Sequence, residues 1–256
     1  MGALFIPIPE FGPPNKSNII RQEMNPLIAK IINSEQLSDG QLFTEENRYY
    51  TFLNPVSYLV ARENPGCFME MDGIFADGGL LASAINRKYG TSITRRSFDM
   101  TSLAARLLSY AVENRKSLYI VGGTHRDNRI ATDKLREAYP GILIAGCHHG
   151  YFNDNQLSEV IEDITVKNPD FVIAGMGACR QENFLQRLKT AGFKGTGFTC
   201  GGFISQLAKS GGSYYPNWID KLGLRFIYRF IKEPHTRKRY CKALFLFPLK
   251  FWRDAD

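Results

Sequence analysis

Three times between residues 118 and 174, a four-residue apolar run is followed by a turn and then by a segment with helical spacing. Leu118-Tyr119-Ile120-Val121 leads into Gly122-Gly123 and a helix predicted over 127–138, stopped by Pro140-Gly141. Ile142-Leu143-Ile144-Ala145 leads into His148-His149-Gly150 and a helix over 156–167 that ends before Pro169. Phe171-Val172-Ile173-Ala174 leads into Gly175-Met176-Gly177 and a helix over 181–190, stopped by Gly192. Strands alternating with helices of this length dictate a mainly parallel α/β sheet with helices on both faces. Such sheets bind ligands outside the carboxyl ends of their strands, where these three turns fall.

Upstream, the pattern predicts a helix over much of 25–32, a short strand over 48–53 and a helix from near Ser57. Residues 1–20 carry no regular pattern, and Met1 to Pro14 lacks the basic-then-apolar order of a signal peptide. No run approaches the roughly 18 consecutive apolar residues of a membrane span. With 256 residues, 44% of them apolar, the chain supplies the core of one large domain. Its five cysteines are odd in number and form no C-x-x-C pair. That argues against a disulfide framework or a zinc ribbon and points to a reducing compartment.

Charge divides the chain. Residues 221–256 hold ten Lys/Arg and three Asp/Glu, which leaves 22 of each sign among the chain's 32 basic and 25 acidic residues. The whole net charge of +7 therefore lies at this end, which suits an anionic partner. Ile219, Leu222, Phe226, Ile227, Phe230 and Ile231 repeat there at helical spacing. Lys221, Arg225, Arg229 and Lys232 lie mostly opposite, Pro234 closes the run, and an aromatic and basic stretch follows from Thr236 to Arg253. A helix of this kind lies on a membrane or partner surface, or docks on its own core; the pattern fits both. The expected organisation is a Rossmann-like α/β core over 1–215 and a C-terminal basic amphipathic helical appendage over 216–256.

Several residues can carry chemistry. Asp77, in Phe75-Ala76-Asp77-Gly78-Gly79, is a general-base candidate at a strand-to-helix turn and equally a helix N-cap. Gly122-Gly123-Thr124 is a phosphate cradle of bare N–H groups or a tight structural turn. Gly175-Met176-Gly177-Ala178-Cys179-Arg180 begins like G-x-G-x-x-G but places Arg180 at the third glycine, which disfavours a dinucleotide-binding dehydrogenase. His148-His149 makes a poor chelate, because adjacent side chains diverge. No cysteine has an obvious His/Asn partner pattern for nucleophilic catalysis.

In order along the chain, these features resemble the TagA/WecG/CpsF glycosyltransferases, glycosyltransferase family 26. The resemblance runs over about three quarters of the chain. It is carried by Asn54, Asp77-Gly78, Arg95, Gly122-Gly123, Tyr139-Pro140-Gly141 and Gly150-Tyr151-Phe152. It continues through Gly177-Ala178-Cys179-Arg180-Gln181-Glu182, Gly201-Gly202 and Pro216-Asn217-Trp218. It closes on Gly223-Leu224, Tyr228-Arg229, Glu233-Pro234 and Arg239-Tyr240. Three departures and an ambiguous Arg register mark a divergent subgroup. Phe52 stands where the family commonly has Thr, Cys179 where it has Pro and His149 where it often has Asp; the Arg motif fits either Arg95 or Arg96.

The resemblance implies an inverting transferase. An N-acetylhexosamine-type sugar, such as N-acetylmannosamine, passes from a UDP-sugar to a polyprenyl-pyrophosphate-linked saccharide in surface-polysaccharide or teichoic-acid-type assembly. Asp77 is similar to the residue that serves as base, with Asn54 and Arg95 orienting acceptor or leaving group. Gly122, Gly123, Gly150, Tyr151, Gly177, Gln181 and Glu182 would line the donor site. Arg225, Arg229, Arg237 and Arg239 would meet acceptor phosphate or membrane. No metal or other cofactor is expected, because N–H groups and Arg side chains can stabilise departing UDP. The implied place is cytoplasmic, peripheral on the inner face of the membrane, with an anionic membrane surface as partner and no nucleic acid. Oligomeric state is left open, a homo-oligomer included. The rival reading is a non-catalytic nucleotide-sugar or membrane-binding module of the same fold, and turnover of UDP-sugars separates the two.

Overall fold

The computed structural model describes residues 24–209 and 237–253. Within them, six short strands form one sheet in the order β2-β1-β6-β5-β3-β4. These are β1 (Tyr49–Leu53), β2 (Gly73–Ala76), β3 (Ser117–Gly122), β4 (Leu143–His148), β5 (Phe171–Gly175) and β6 (Thr196–Thr199). Every pairing is parallel, as strands joined by helical crossovers require. The expected strand over 142–145 runs on to His148, and a register shift between Leu118 and Tyr119 lies in its pairing with β3.

Strand alternation explains why the central strands read as unbroken apolar runs. On one face, Tyr50, Phe52, Leu118, Ile120, Phe171, Ile173 and Phe198 share a core. The helices over it are α2 (Asp39–Thr44), α6 (Leu103–Glu113), α7 (His125–Ala138) and α10 (Phe203–Lys209), which contribute Leu42, Leu107, Leu135 and Ile204. On the other face, Tyr49, Tyr119, Val121, Val172 and Ala174 pack under α8 (Asp154–Lys167) and α9 (Arg180–Thr190). Leu53, Ile74 and Ala76 extend that face under α1 (Pro26–Ser34), α3 (Pro55–Glu63) and α5 (Gly79–Tyr89). A strand buried on both sides has no polar face to alternate with.

The helix boundaries follow local chemistry. Asn25, Ser38, Asn54, Thr124 and Asn153 each cap a helix through a side-chain oxygen that accepts from the first turn. The short α4 (Gly66–Met69) follows Pro65.

A last helix, α11 (Arg237–Arg253), runs through Pro248, which sits on its exposed side. Ala243, Phe247 and Phe251 recur every fourth residue and enter the core shared by α3 and α5. Phe247 and Phe251 meet the Tyr58 ring edge-on, each at 5.7 Å. Lys88 donates to Phe251 O at 2.6 Å, and Lys250 pairs with Glu63 at 2.7 Å. The predicted helix over 219–231, with Arg225 and Arg229, lies outside the described residues, as do residues 1–20 and the motifs at 216–218, 223–224, 228–229 and 233–234.

Truncating a buried aromatic side chain costs about 3–5 kcal/mol. Phe251→Ala is therefore expected to lower unfolding free energy by about 3 kcal/mol, whereas Phe245→Ala, on the exposed side of the same helix, should change it by less than about 0.5 kcal/mol. Urea unfolding followed by circular dichroism measures both; equal effects would mean that α11 does not dock through this face.

Candidate active site

Asp77 follows directly on β2, and its N–H donates to Leu53 O of the neighbouring strand at 2.7 Å. The helix after it, α5, takes Gly78 as its N-cap without any side-chain hydrogen bond. Asp77 is therefore not a cap. Its carboxylate instead accepts from the Ser97 hydroxyl at 2.5 Å, from a residue twenty positions away. That segment is held along the sheet by Arg96 N–H donating to Ala76 O. Asp77 is half-buried, so the carboxylate is oriented by a neutral donor while remaining reachable at the sheet's carboxyl edge.

The two arginine candidates separate. Arg96 is taken up by the framework: it donates to Leu37 O at 2.6 Å, lies 4.9 Å over the Phe75 ring and approaches Asp39. Arg95 pairs with Asp99 and stays nearer the surface. Asn54 caps α3, its Oδ1 accepting from Val56 and Ser57 N–H at 3.0 and 3.1 Å, which leaves only Nδ2 for a ligand. Phe52 stacks on Phe75 at 5.5 Å and is a core residue. The polar group on β1 is its neighbour Thr51, which the sequence reading passed over.

At the other end of the edge, Gly122, Gly150 and Gly175 crowd together. A Cβ on Gly122 would stand 2.3 Å from Gly175 O, and Gly122 holds φ +144°, so no other residue fits. Gly150 N–H donates to Gly123 O at 2.9 Å, binding the β4 turn to the β3 turn. His148, His149 and His125 gather there, with ring centroids 4.3 Å apart for the first pair and 6.2 Å for His125 and His149. Tyr151 N–H donates to His149 Nδ1 at 3.2 Å, which places that ring's proton on Nε2. Burial, and after it the neighbouring His148 and His125, hold His149 below the usual histidine range. Tyr151 itself is 68% exposed beside them.

Between these ends lies a buried polar knot. Glu182 is fully buried, and its Oε1 accepts from the Thr51 hydroxyl at 2.6 Å and from Gln181 Nε2 at 3.0 Å. Its Oε2 accepts from Cys179 N–H at 2.6 Å. Thr199 of β6 donates in turn to Thr51. Gln181 Oε1 receives Gly201 N–H, and Arg180 reaches Gly150 O, each at 3.2 Å. Burial pushes the Glu182 carboxyl upward, against the hydrogen bonds that favour its charged form. Gln181 and Glu182 therefore hold the loop from Gly177 rather than projecting into open space.

The cysteines are not all reduced, contrary to the expectation from their number and spacing. Cys67 of α4 and Cys179 are bonded, 112 residues apart in sequence, while Cys147, Cys200 and Cys241 are free. Spacing along the chain could not show this, because the pair meets only where α4 packs on α9; an odd count merely left thiols over. Cys179 has φ +71° and donates its N–H, neither of which a proline permits. Among the described residues no group of three His, Cys, Asp or Glu stands ready to hold a metal ion.

The sequence matches the Glycosyl transferase WecG/TagA/CpsF family over residues 28–255. It is 34% identical over 190 residues to a UDP-Gal:alpha-D-GlcNAc-diphosphoundecaprenol beta-1,4-galactosyltransferase of Shigella boydii, covering 74% of this chain and 79% of that one. It is 29% identical over 137 residues to an N-acetylglucosaminyldiphosphoundecaprenol N-acetyl-beta-D-mannosaminyltransferase of Bacillus subtilis (strain 168), covering 52% of this chain and 51% of that one.

Removing Glu182 strands the Thr51 hydroxyl and the Cys179 amide in the interior, at about 1–3 kcal/mol for each unpaired group. Glu182→Ala should lower unfolding free energy by about 3 kcal/mol, and Glu182→Gln, which keeps one acceptor oxygen, by clearly less. Thermal denaturation of both variants decides; an alanine variant as stable as wild type would dissolve the knot.

Proposed function

The chain belongs to the WecG/TagA/CpsF glycosyltransferase family, and from that premise we propose that it transfers a hexose or N-acetylhexosamine from a UDP-sugar to a polyprenyl-diphosphate-linked sugar, with inversion. The observation that carries the reading is Asp77, uncapped and oriented by Ser97 on the same carboxyl edge as the glycine turns. The acceptor hydroxyl attacks the anomeric carbon as its proton passes to Asp77; the bond from that carbon to the β-phosphate oxygen breaks, and UDP leaves with the electron pair. A single displacement of this kind inverts the centre.

Strand order supports one direction for the donor. Parallel neighbours lie about 4.8 Å apart, and four steps separate β2 from β3, so Asp77 and Gly122 stand roughly 19 Å apart along the edge. The sugar then faces β1 and β2, the diphosphate crosses β6 and β5 near Gly177 and Gly201, and the nucleoside reaches the His148-His149-Gly150-Tyr151 turn. Arg95 and Asn54 Nδ2 are the groups beside Asp77 that can orient acceptor or leaving group. Backbone N–H groups at the glycine turns other than those of Gly123, Gly150 and Gly201, which the framework takes up, stabilise the departing charge.

The acceptor's lipid calls for a surface. No helix among the described residues is long and apolar enough to cross a membrane. The outer side of α11 nevertheless exposes Leu244, Phe245, Leu249 and Trp252, with Phe245 71% exposed. Arg237, Lys238, Arg239 and Lys242 are exposed near its start. An apolar stripe beside basic residues suits an anionic bilayer, where each basic residue near the surface contributes about 1 kcal/mol.

Asp77→Asn should retain UDP binding and lower kcat by about 10²–10⁴-fold, as loss of a general base does; near-normal turnover removes Asp77 from the mechanism. Activity should survive EDTA, and a loss restored by Mg²⁺ or Mn²⁺ would refute charge stabilisation by the protein alone. Replacing Phe245, Leu249 and Trp252 together by Glu should release the protein from anionic liposomes in co-sedimentation while leaving its fold intact, since Phe247 and Phe251 hold the docked side. Unchanged pelleting sinks the surface role of α11.

A further inference from the structure

The Cys67–Cys179 bond ties α4, in the connection before β2, to the start of α9 at the centre of the edge just described. Cys67 lies on α4, and its carbonyl also accepts from Gln186 Nε2 of α9 at 2.8 Å. Cys179 is the N-cap of α9. It follows Gly177 by two residues, and its N–H is the one Glu182 holds. Its φ of +71° is left-handed, a conformation that a non-glycine residue keeps only when its surroundings impose it. The loop that contains it reaches both neighbouring turns, through Arg180 to Gly150 and through Gln181 to Gly201. One covalent tie therefore fixes a loop on which the turns of β4, β5 and β6 converge.

Both cysteines are half-buried, so small thiols and disulfides can reach them, and their Cα atoms stand 5.6 Å apart, a separation a disulfide spans directly. Cys200, the nearest other thiol along the edge, is fully buried, and burial pushes it well above the usual thiol range, so it does not compete in exchange.

We propose that Cys67 and Cys179 are a thiol–disulfide switch that sets donor affinity: the bonded pair holds the 177–182 loop in its binding shape, and the reduced pair releases it. This rests on the reading of the edge as a UDP-sugar site. In the closing direction, one thiolate of the pair attacks a low-molecular-weight disulfide, forms a mixed disulfide and expels a thiolate. The second cysteine then attacks its bonded neighbour, closes Cys67–Cys179 and expels the other half. Two electrons and two protons pass from the pair to the small disulfide, which leaves as two thiols. A binding loop already held in shape needs no ordering when ligand arrives, so the bonded form binds more tightly. Coupling between two sites is reciprocal, so donor binding must favour the bonded form by the same factor.

The test equilibrates the full chain in buffers of graded reduced and oxidised glutathione, with and without saturating UDP. Acid-quenched samples are alkylated under denaturing conditions and scored by mass spectrometry, and UDP affinity is measured by calorimetry at both ends of the series. Cys67 and Cys179 should change state together while the buried Cys200 remains a thiol, and glutathione taken up by the exposed Cys147 and Cys241 is scored separately. UDP affinity should fall by about fivefold to tenfold on reduction, in the usual range of coupling between sites, and recover on reoxidation. UDP should move the midpoint glutathione ratio by that same factor, which a merely structural bond would not allow. Cys67→Ser should bind UDP like the reduced wild type at every ratio, and the wild-type series stands without it if the variant fails to fold. Equal UDP affinity in both states overturns the switch, as does a pair that stays reduced throughout or ends as separate glutathione adducts. UDP bound by neither form, with the pair still titrating, overturns the donor-site reading beneath it.

Discussion

A carboxylate taken out of water has to be met by donors on every side, and at Glu182 those donors come from different parts of the chain. The Thr51 hydroxyl arrives from β1, the Gln181 amide from α9 itself and the Cys179 N–H from the loop before it. Thr199 supports Thr51 from β6. The cost of stranding any of these groups fixes the spacing between α9 and the middle of the sheet. That middle lies between Asp77 at one end of the edge and the paired glycine turns at the other, so the knot holds the loop that lies between the two ends. Gln181 and Glu182 read in the sequence as lining for a donor site, yet in the structure both are buried and hold the loop from Gly177.

Around that knot, several residues serve both the framework and the site. Asn54 caps α3 with one atom of its amide and leaves the other available. Asp77 escapes the cap because glycine takes that position, and it is oriented instead by Ser97. Gly122 lets the ends of β3 and β5 touch, and Gly150 lets the β4 turn approach Gly122, contacts that a Cβ would crowd. The C-terminal helix divides its two sides in the same way. Phe247 and Phe251 belong to the core, and the aromatic and aliphatic residues beside them face outward. The attachment is thus built into the domain, and its outer side is free to meet another surface.

The fold class was legible because burial on both faces leaves a direct mark in composition. Leu118–Val121 and Phe171–Ala174 are apolar throughout since alternate side chains enter opposite cores. Gly192 and Pro140-Gly141 end helices by their backbone geometry alone. The candidate edge was legible for a related reason, since the turns that follow such strands must lie at one end of a parallel sheet. The three departures and the ambiguous Arg register were also visible, but their meaning was not. Phe52 proved to be core, and Arg96 proved to be anchored to α2 and Phe75, which left Arg95 as the less committed of the pair.

β6 and the capping residues carry no clear mark in the sequence. What the sequence by itself determined was what near neighbours and burial mark: β1, β3, β4 and β5, the helices after them and the edge on which ligands fall. Tertiary structure alone decided which side chains meet across it. Ser97 reaches Asp77 over twenty residues, Thr51 reaches Glu182 over 131, and Cys67 reaches Cys179 over 112. No periodicity encodes such pairs. A hydrogen bond or a disulfide forms wherever packing brings partners within a few ångströms, and that distance is set by the whole core rather than by any local run of residues.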